Sequence, residues 1–164
     1  MASKWYFHMF LALNRLGVPV YGRPSGLRLY NYCFQRTLMT SRYVYTAPGG
    51  FGLPVRKFFE IPAAGPLFLC RPCTGYRELG YVDSVHYLSV EPNDLPGLLQ
   101  ELTRTGAGHD VAIAGRKVTA TIHSLQARAR QISVCLEALA KGTYRGARWH
   151  EGEFVVNEVS PCAD

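Results

Sequence analysis

The chain has 164 residues, 48% of them hydrophobic and 18% charged, which places it in the globular range with one core of ordinary size. Its net charge of +6 is lopsided: residues 1–60 hold eight Lys or Arg against the single acid Glu60, giving +7, while residues 61–164 hold ten against eleven acids, giving −1. Such a field suits phosphate, nucleic acid or an acidic surface, and the five cysteines, odd in number and mostly in apolar sequence, argue against a secreted disulfide framework and for a reducing cytoplasm.

In chain order, WYFHMFLAL at residues 5–13 is interrupted by His8, is too short to span a bilayer and has no small-residue cleavage site downstream. It reads as part of a core helix, because Trp5, Met9, Ala12 and Leu16 recur at helical spacing before Gly17. A short buried strand is expected at residues 18–22, and after the turn RPSG the stripe Leu27, Tyr30, Phe34 and Leu38 predicts a second helix. Residues 43–46 then read as a strand. Pro54 suits a first helical position and Gly65 a position just past the end, so a short helix is predicted over residues 54–63 with Pro62 in its last turn. Apolar runs at residues 66–70 and 85–90 are strand candidates. Asn93 or Asp94 is placed to cap a helix over residues 95–105, and residues 109–141 carry two further helical patterns broken near 121–124. Glu151-Gly152, between aromatic and β-branched runs, predicts a terminal hairpin.

Helices alternating with strands that are apolar runs more than clean alternations predict the α/β class, a parallel sheet flanked by helices. The expected organisation is one domain over residues 1–142, followed by a hairpin and tail over 143–164.

The most informative stretch is residues 46–79. Gly49, Gly50 and Gly52 lie where a strand gives way to a helix, the place where open α/β sheets bind ligands. Glycines there allow positive φ and close approach of a ligand, and the following helix start offers unpaired N–H groups to an anion. Arg56 and Lys57 add charge at the wrong end of the helix dipole, which is sensible if an anion compensates both. Glu60, four residues after Arg56, shares its helical face; a carboxylate accepts from two sugar hydroxyls, so the pair suits an anionic, sugar-bearing ligand. The bland reading of the same spacing is an exposed i,i+4 ion pair. In the turn after the next strand, Thr74, Gly75 and Tyr76 are placed to line the same crevice. The loop lacks the Gly-Lys-Ser or Gly-Lys-Thr of nucleotide triphosphatases and the spacing of the dinucleotide fingerprint.

RKFFEIPAAGPLFLCRPCTGYRELGYVDSVHYLSVEPNDLPGLLQEL, with the later helices through HSLQARARQ, resembles the C-terminal domain of group 1 glycosyltransferases, in particular the subgroup similar to spore-maturation proteins. The shared pattern is an Arg, then Phe-Glu, a small-residue run closed by Gly, a strand, a Gly-x-x-Glu-Leu turn, a strand and a helix, over roughly residues 40–140. The resemblance implies a Rossmann-like domain binding a nucleotide-sugar donor in the cleft of a two-domain GT-B enzyme, with Glu60 on the donor ribose. Many members carry an acid eight positions before that Glu; here the position is Gly52. The family also has an N-terminal domain of comparable size, so the chain resembles the donor half of such an enzyme, completed by a further domain or partner subunit, and no catalytic base is nominated. The alternative is a non-catalytic domain of the same fold with a basic face for a partner or nucleic acid.

Other signals point nowhere specific. Cys70-Arg71-Pro72-Cys73 has redox or metal spacing but no second ligand pair, and His8, His86, His109, His123 and His150 share no spacing that marks a metal site. No metal and no cofactor beyond the nucleotide sugar as substrate is expected. Tyr30, Tyr32, Tyr43 and Tyr45 fit core positions better than a stacking surface for nucleic acid.

Overall fold

The computed structural model describes residues 24–159, and the chain divides into two compact units, Met1–Arg42 and Tyr43–Asp164. The helix and strand expected over residues 5–16 and 18–22 lie outside the described residues. In the first unit α1 spans Pro24–Thr40, longer at both ends than the stripe that predicts it. Proline is tolerated in a first turn because its missing N–H has no partner there in any case. At the other end the Ser41 amide donates to the Thr37 carbonyl at 3.1 Å.

In the second unit β1 (Tyr43–Thr46), β2 (Leu67–Cys70) and β3 (Leu88–Ser89) form a parallel sheet in that order, with Thr46 opposite Cys70 and Cys70 opposite Ser89. Helix α2 (Lys57–Ala64) connects β1 to β2. After β3 come α3 (Leu95–Thr105), α4 (His109–Ile122), α5 (Leu125–Ala140) and the antiparallel hairpin of β4 (Tyr144–His150) and β5 (Glu153–Glu158). The fold is mixed α/β, a small parallel three-stranded sheet flanked by helices.

The central strand explains the core. All four residues of β2 are buried, as a parallel strand covered on both faces requires, and successive side chains leave it in opposite directions. Leu67 and Leu69 join Val90, Leu102 and Ala112 in an aliphatic cluster against which Leu95, Leu98 and Leu99 of α3 pack. Phe68 instead meets Phe58 of α2 edge-on at 5.0 Å between ring centroids. From Phe58 the contacts continue ring to ring: Tyr76 at 5.1 Å, Tyr81 stacked on Tyr76 at 4.1 Å, His123 stacked on Tyr81 at 5.3 Å, and Trp149 of the hairpin at 5.1 Å from His123.

Two elements differ from expectation. Only Leu88 and Ser89 of residues 85–90 are in the sheet, because the Val85 and His86 amides turn back onto the Val82 carbonyl and Ser84 sits at φ 63°. Asp83 holds that turn by accepting from the amides of Ser84 and Ser89, each at 2.8 Å. Helix α2 starts at Lys57, three residues after Pro54. The Gly49 amide donates to the Leu53 carbonyl at 3.0 Å, so the chain is still committed to the loop at the point where a helix from Pro54 would have to begin.

The hairpin is seated by its tip. Gly152, at φ 89°, donates its amide to the Glu78 carbonyl at 2.9 Å, and Gly80 faces it so closely that a Cβ on Gly80 would lie 2.8 Å from the Gly152 Cα. Glycine at both positions is a steric requirement of this contact.

Candidate functional site

The loops after β1 and β2 leave the same, carboxyl-terminal edge of the sheet, since the strands are parallel. They touch directly: the Thr74 amide donates to the Gly52 carbonyl at 3.0 Å, and the Cys73 thiol lies 3.3 Å from the same oxygen. The Gly49–Gly52 loop is itself closed by a bond from the Gly52 amide to the Gly49 carbonyl at 2.9 Å. Of its glycines Gly52 has positive φ, 71°, while Gly50 has open space around it and Gly49 lies against Val55. Gly75, at φ 77°, turns the second loop. Between two of these glycines Phe51 is 93% exposed at the loop tip, a ring that the sequence reading passed over although an aromatic inside a Gly-x-Gly stretch was its signal.

Arg56 occupies the N-cap position of α2 and Lys57 the first helical position, both exposed, and Arg56 makes no side-chain capping bond. Arg56 and Glu60 form an i,i+4 ion pair at 2.5 Å, with side-chain exposures of 83% and 27%. The exposed ion pair considered as the bland reading therefore exists in this structure. A ligand using Glu60 would exchange one partner for another, at small cost, because an exposed pair of this kind is worth only about 0.3–0.5 kcal/mol.

Thr74 is exposed, whereas the Tyr76 ring is fully buried and its hydroxyl donates to the Phe58 carbonyl at 2.7 Å. Burial pushes the Tyr76 phenol far above its ordinary value, so it stays protonated and acts as a fastener between the second loop and α2. Tyr81 is similar: Thr119 gives its proton to the Gly115 carbonyl at 2.8 Å and so accepts from the Tyr81 hydroxyl at 2.7 Å, and burial pushes Tyr81 up to about 12. Glu78 of the Gly-x-x-Glu-Leu turn faces the hairpin, with a carboxylate oxygen 3.4 Å from the Glu151 amide and 3.6 Å from His150.

Along the sheet edge the charge changes sign. Arg56 and Lys57 follow β1, Arg71 follows β2 and pairs at 3.1 Å with Glu91, which follows β3. Beyond that pair an open groove of about 450 Å³ is lined by Pro72, Ser89, Val90, Leu98 and the acids Glu91, Asp94 and Glu101. Asp94, read from sequence as a helix cap, makes no capping bond.

Cys70 is buried at the end of β2, where desolvation and the neighbouring Cys73 and Asp83 push its thiol up to about 12; Cys73 is raised by burial as well. Both are free thiols, and neither has the thiolate character that redox chemistry needs. Among the described residues no group of three or more His, Cys, Asp or Glu is placed to hold a metal ion, and no helix is long and apolar enough to cross a membrane.

The fold is a mixed α/β domain with two glycine-bearing loops joined at the carboxyl edge of its parallel strands. Comparison with protein-family models, curated proteins and solved structures finds no match to this chain.

Proposed function

We propose that the domain binds a nucleotide sugar as the donor half of a glycosyltransferase. The observation that supports this reading is the bond from Thr74 to Gly52, which joins two glycine-bearing loops at the sheet edge where α/β folds bind nucleotides. In this reading the diphosphate rests on the Gly49–Gly52 loop and the start of α2, with Arg56 and Lys57 neutralising its charge. Glu60 leaves Arg56 to accept from the ribose hydroxyls, and the exposed Phe51 ring covers the base. The domain's share of catalysis is to hold the departing diphosphate with fixed charge and N–H groups, and the acceptor and its base come from a further domain or subunit.

The test is ligand-observed NMR with a panel of nucleoside diphosphates and nucleotide sugars against the purified chain and Glu60→Gln. Saturable binding that prefers one base and falls at least severalfold in Glu60→Gln is the expected result. Equal binding by the two proteins removes Glu60 from the site, and a folded chain that binds none of the panel refutes the proposal. A second reading, a non-catalytic domain of the same fold, is favoured by the Arg56–Glu60 pair, which already satisfies both side chains.

A further inference from the structure

The two units of the chain divide its charge unequally. Met1–Arg42 holds 6 of the 18 Lys or Arg and none of the 12 Asp or Glu, which leaves Tyr43–Asp164 with 12 of each sign and puts the whole net charge of +6 in the first unit. No cation there has an acid of its own unit to pair with, and clustered charge of one sign suits an anionic partner.

Helix α1 shows the chemistry of the surface this unit offers. At about 100° per residue, Arg28, Leu29, Tyr32, Arg36 and Met39 fall within an arc of about 100°. All five are exposed, Leu29, Tyr32 and Met39 by 52%, 63% and 71%. The buried Leu38 lies roughly 130° around the helix from the middle of that arc, so the arc is not the side by which α1 packs. Arg28 and Arg36 stand about one turn to either side of Tyr32, with the aliphatic Leu29 and Met39 between and beside them.

Phosphate-bearing polymers and lipid headgroups would both answer the charge, and the aliphatic members of the arc decide between them. A nucleic-acid backbone gives Leu29 and Met39 nothing to enter, whereas the headgroup region of a bilayer neutralises guanidiniums and buries the apolar groups beside them. Tyr32, an apolar ring with a polar tip, suits the same depth. We propose that the Arg28–Met39 face of α1 docks the chain on an anionic lipid surface. The helix lies in the plane of the interface and does not cross it; among the described residues no helix is long and apolar enough to do so. None of these residues belongs to the glycine-loop edge, so the proposal stands apart from the nucleotide-sugar reading.

Co-sedimentation of the full chain with vesicles tests this. Vesicles of phosphatidylcholine with about 30% phosphatidylserine are expected to bind the chain at least roughly tenfold more tightly than phosphatidylcholine alone. Raising salt from about 0.1 M to about 1 M shortens the screening length from about 10 Å to about 3 Å and should release most of the bound chain. Arg28→Gln with Arg36→Gln should weaken binding to the anionic vesicles roughly tenfold, and Leu29→Ser with Met39→Ser severalfold, each with unchanged far-ultraviolet circular dichroism. Arg145→Gln with Arg148→Gln, at exposed positions of β4, removes the same charge elsewhere and should leave binding within about twofold. Salt dependence and the second α1 variant keep the test valid if the other variant fails to fold. A chain that binds neither vesicle, binds both equally, or loses as much through the β4 pair as through the α1 pair overturns the proposal. Capture of a single-stranded oligonucleotide in place of the anionic vesicles overturns it in favour of nucleic acid.

Discussion

Gly97 and Gly115 both sit inside helices, α3 and α4, and helix propensity alone expects Ala to be better at each by about 1 kcal/mol. The structure splits them. A Cβ on Gly97 meets nothing within 4 Å, so Gly97→Ala should realise most of the gain, roughly 0.5–1 kcal/mol. A Cβ on Gly115 would lie 2.3 Å from the His86 carbonyl oxygen and 3.3 Å from its carbon. That neighbour is backbone, pinned because the His86 amide donates to the Val82 carbonyl at 2.9 Å, and it cannot swing aside as a side chain would. Restoring an ordinary contact needs a shift of about 1 Å between α4 and the turn over residues 82–87, and overpacking of that order costs roughly 1–3 kcal/mol. Taking the upper part of that range against the propensity gain, Gly115→Ala should lose about 2 kcal/mol. Urea denaturation followed by circular dichroism reads both variants. A Gly115→Ala protein as stable as wild type would show that α4 does not approach residue 86 as described.

His123 gives a pH dependence of definite sign. Desolvation holds its imidazole below the ordinary value, outweighing the bond to the Leu79 carbonyl, and Arg128 beside it lowers it further. Because the unfolded chain takes up that proton first, stability should be complete above about pH 6.5 and fall as pH drops below it; His123→Phe should flatten that part of a stability-against-pH curve, and an unchanged slope would count against the assignment. Cys70, raised to about 12 and shut inside the sheet, should resist alkylation in the native protein, while the partly exposed Cys33, Cys73 and Cys135 react. Mass spectrometry of iodoacetamide-treated chain decides this, and early labelling of Cys70 would mean that β2 opens readily.

Much of the architecture is legible from local pattern. The apolar run of β2, the stripe of α3 and the break between α4 and α5 are visible because periodicity and caps act over a few residues; Ser124 caps α5 by accepting from the Ala127 amide at 3.2 Å. Residues 85–90 misled for a physical reason: their alternation is that of a strand, but Asp83 captures the amides of Ser84 and Ser89 and uses half the segment as a turn. The candidate site is similarly divided. That Gly49–Gly52 and the turn after β2 share an edge follows from parallel strands, and Arg56 and Glu60 from helical spacing. The burial of Tyr76 was not legible, since its ring is drawn inward by Phe58 of α2 and Phe68 of β2, which meet it only once that helix and strand have packed. The acidic groove beside α3 was passed over although Asp94, Leu98 and Glu101 share one face of that helix by spacing, because Asp94 was read only as a cap.

The contact of Gly80 with Gly152 also orders events in time. The turn after β2 is clamped by a hairpin made some seventy residues later, after β1, β2 and β3 have been synthesised. During synthesis from the amino end the sheet and its glycine loops can assemble early, but this clamp must wait for the β4–β5 hairpin to emerge. Until then Glu78 lacks the Glu151 amide and His123 lacks the Trp149 ring, so the nascent chain passes through a stage that holds most of its core while the turn after β2 is still unbraced.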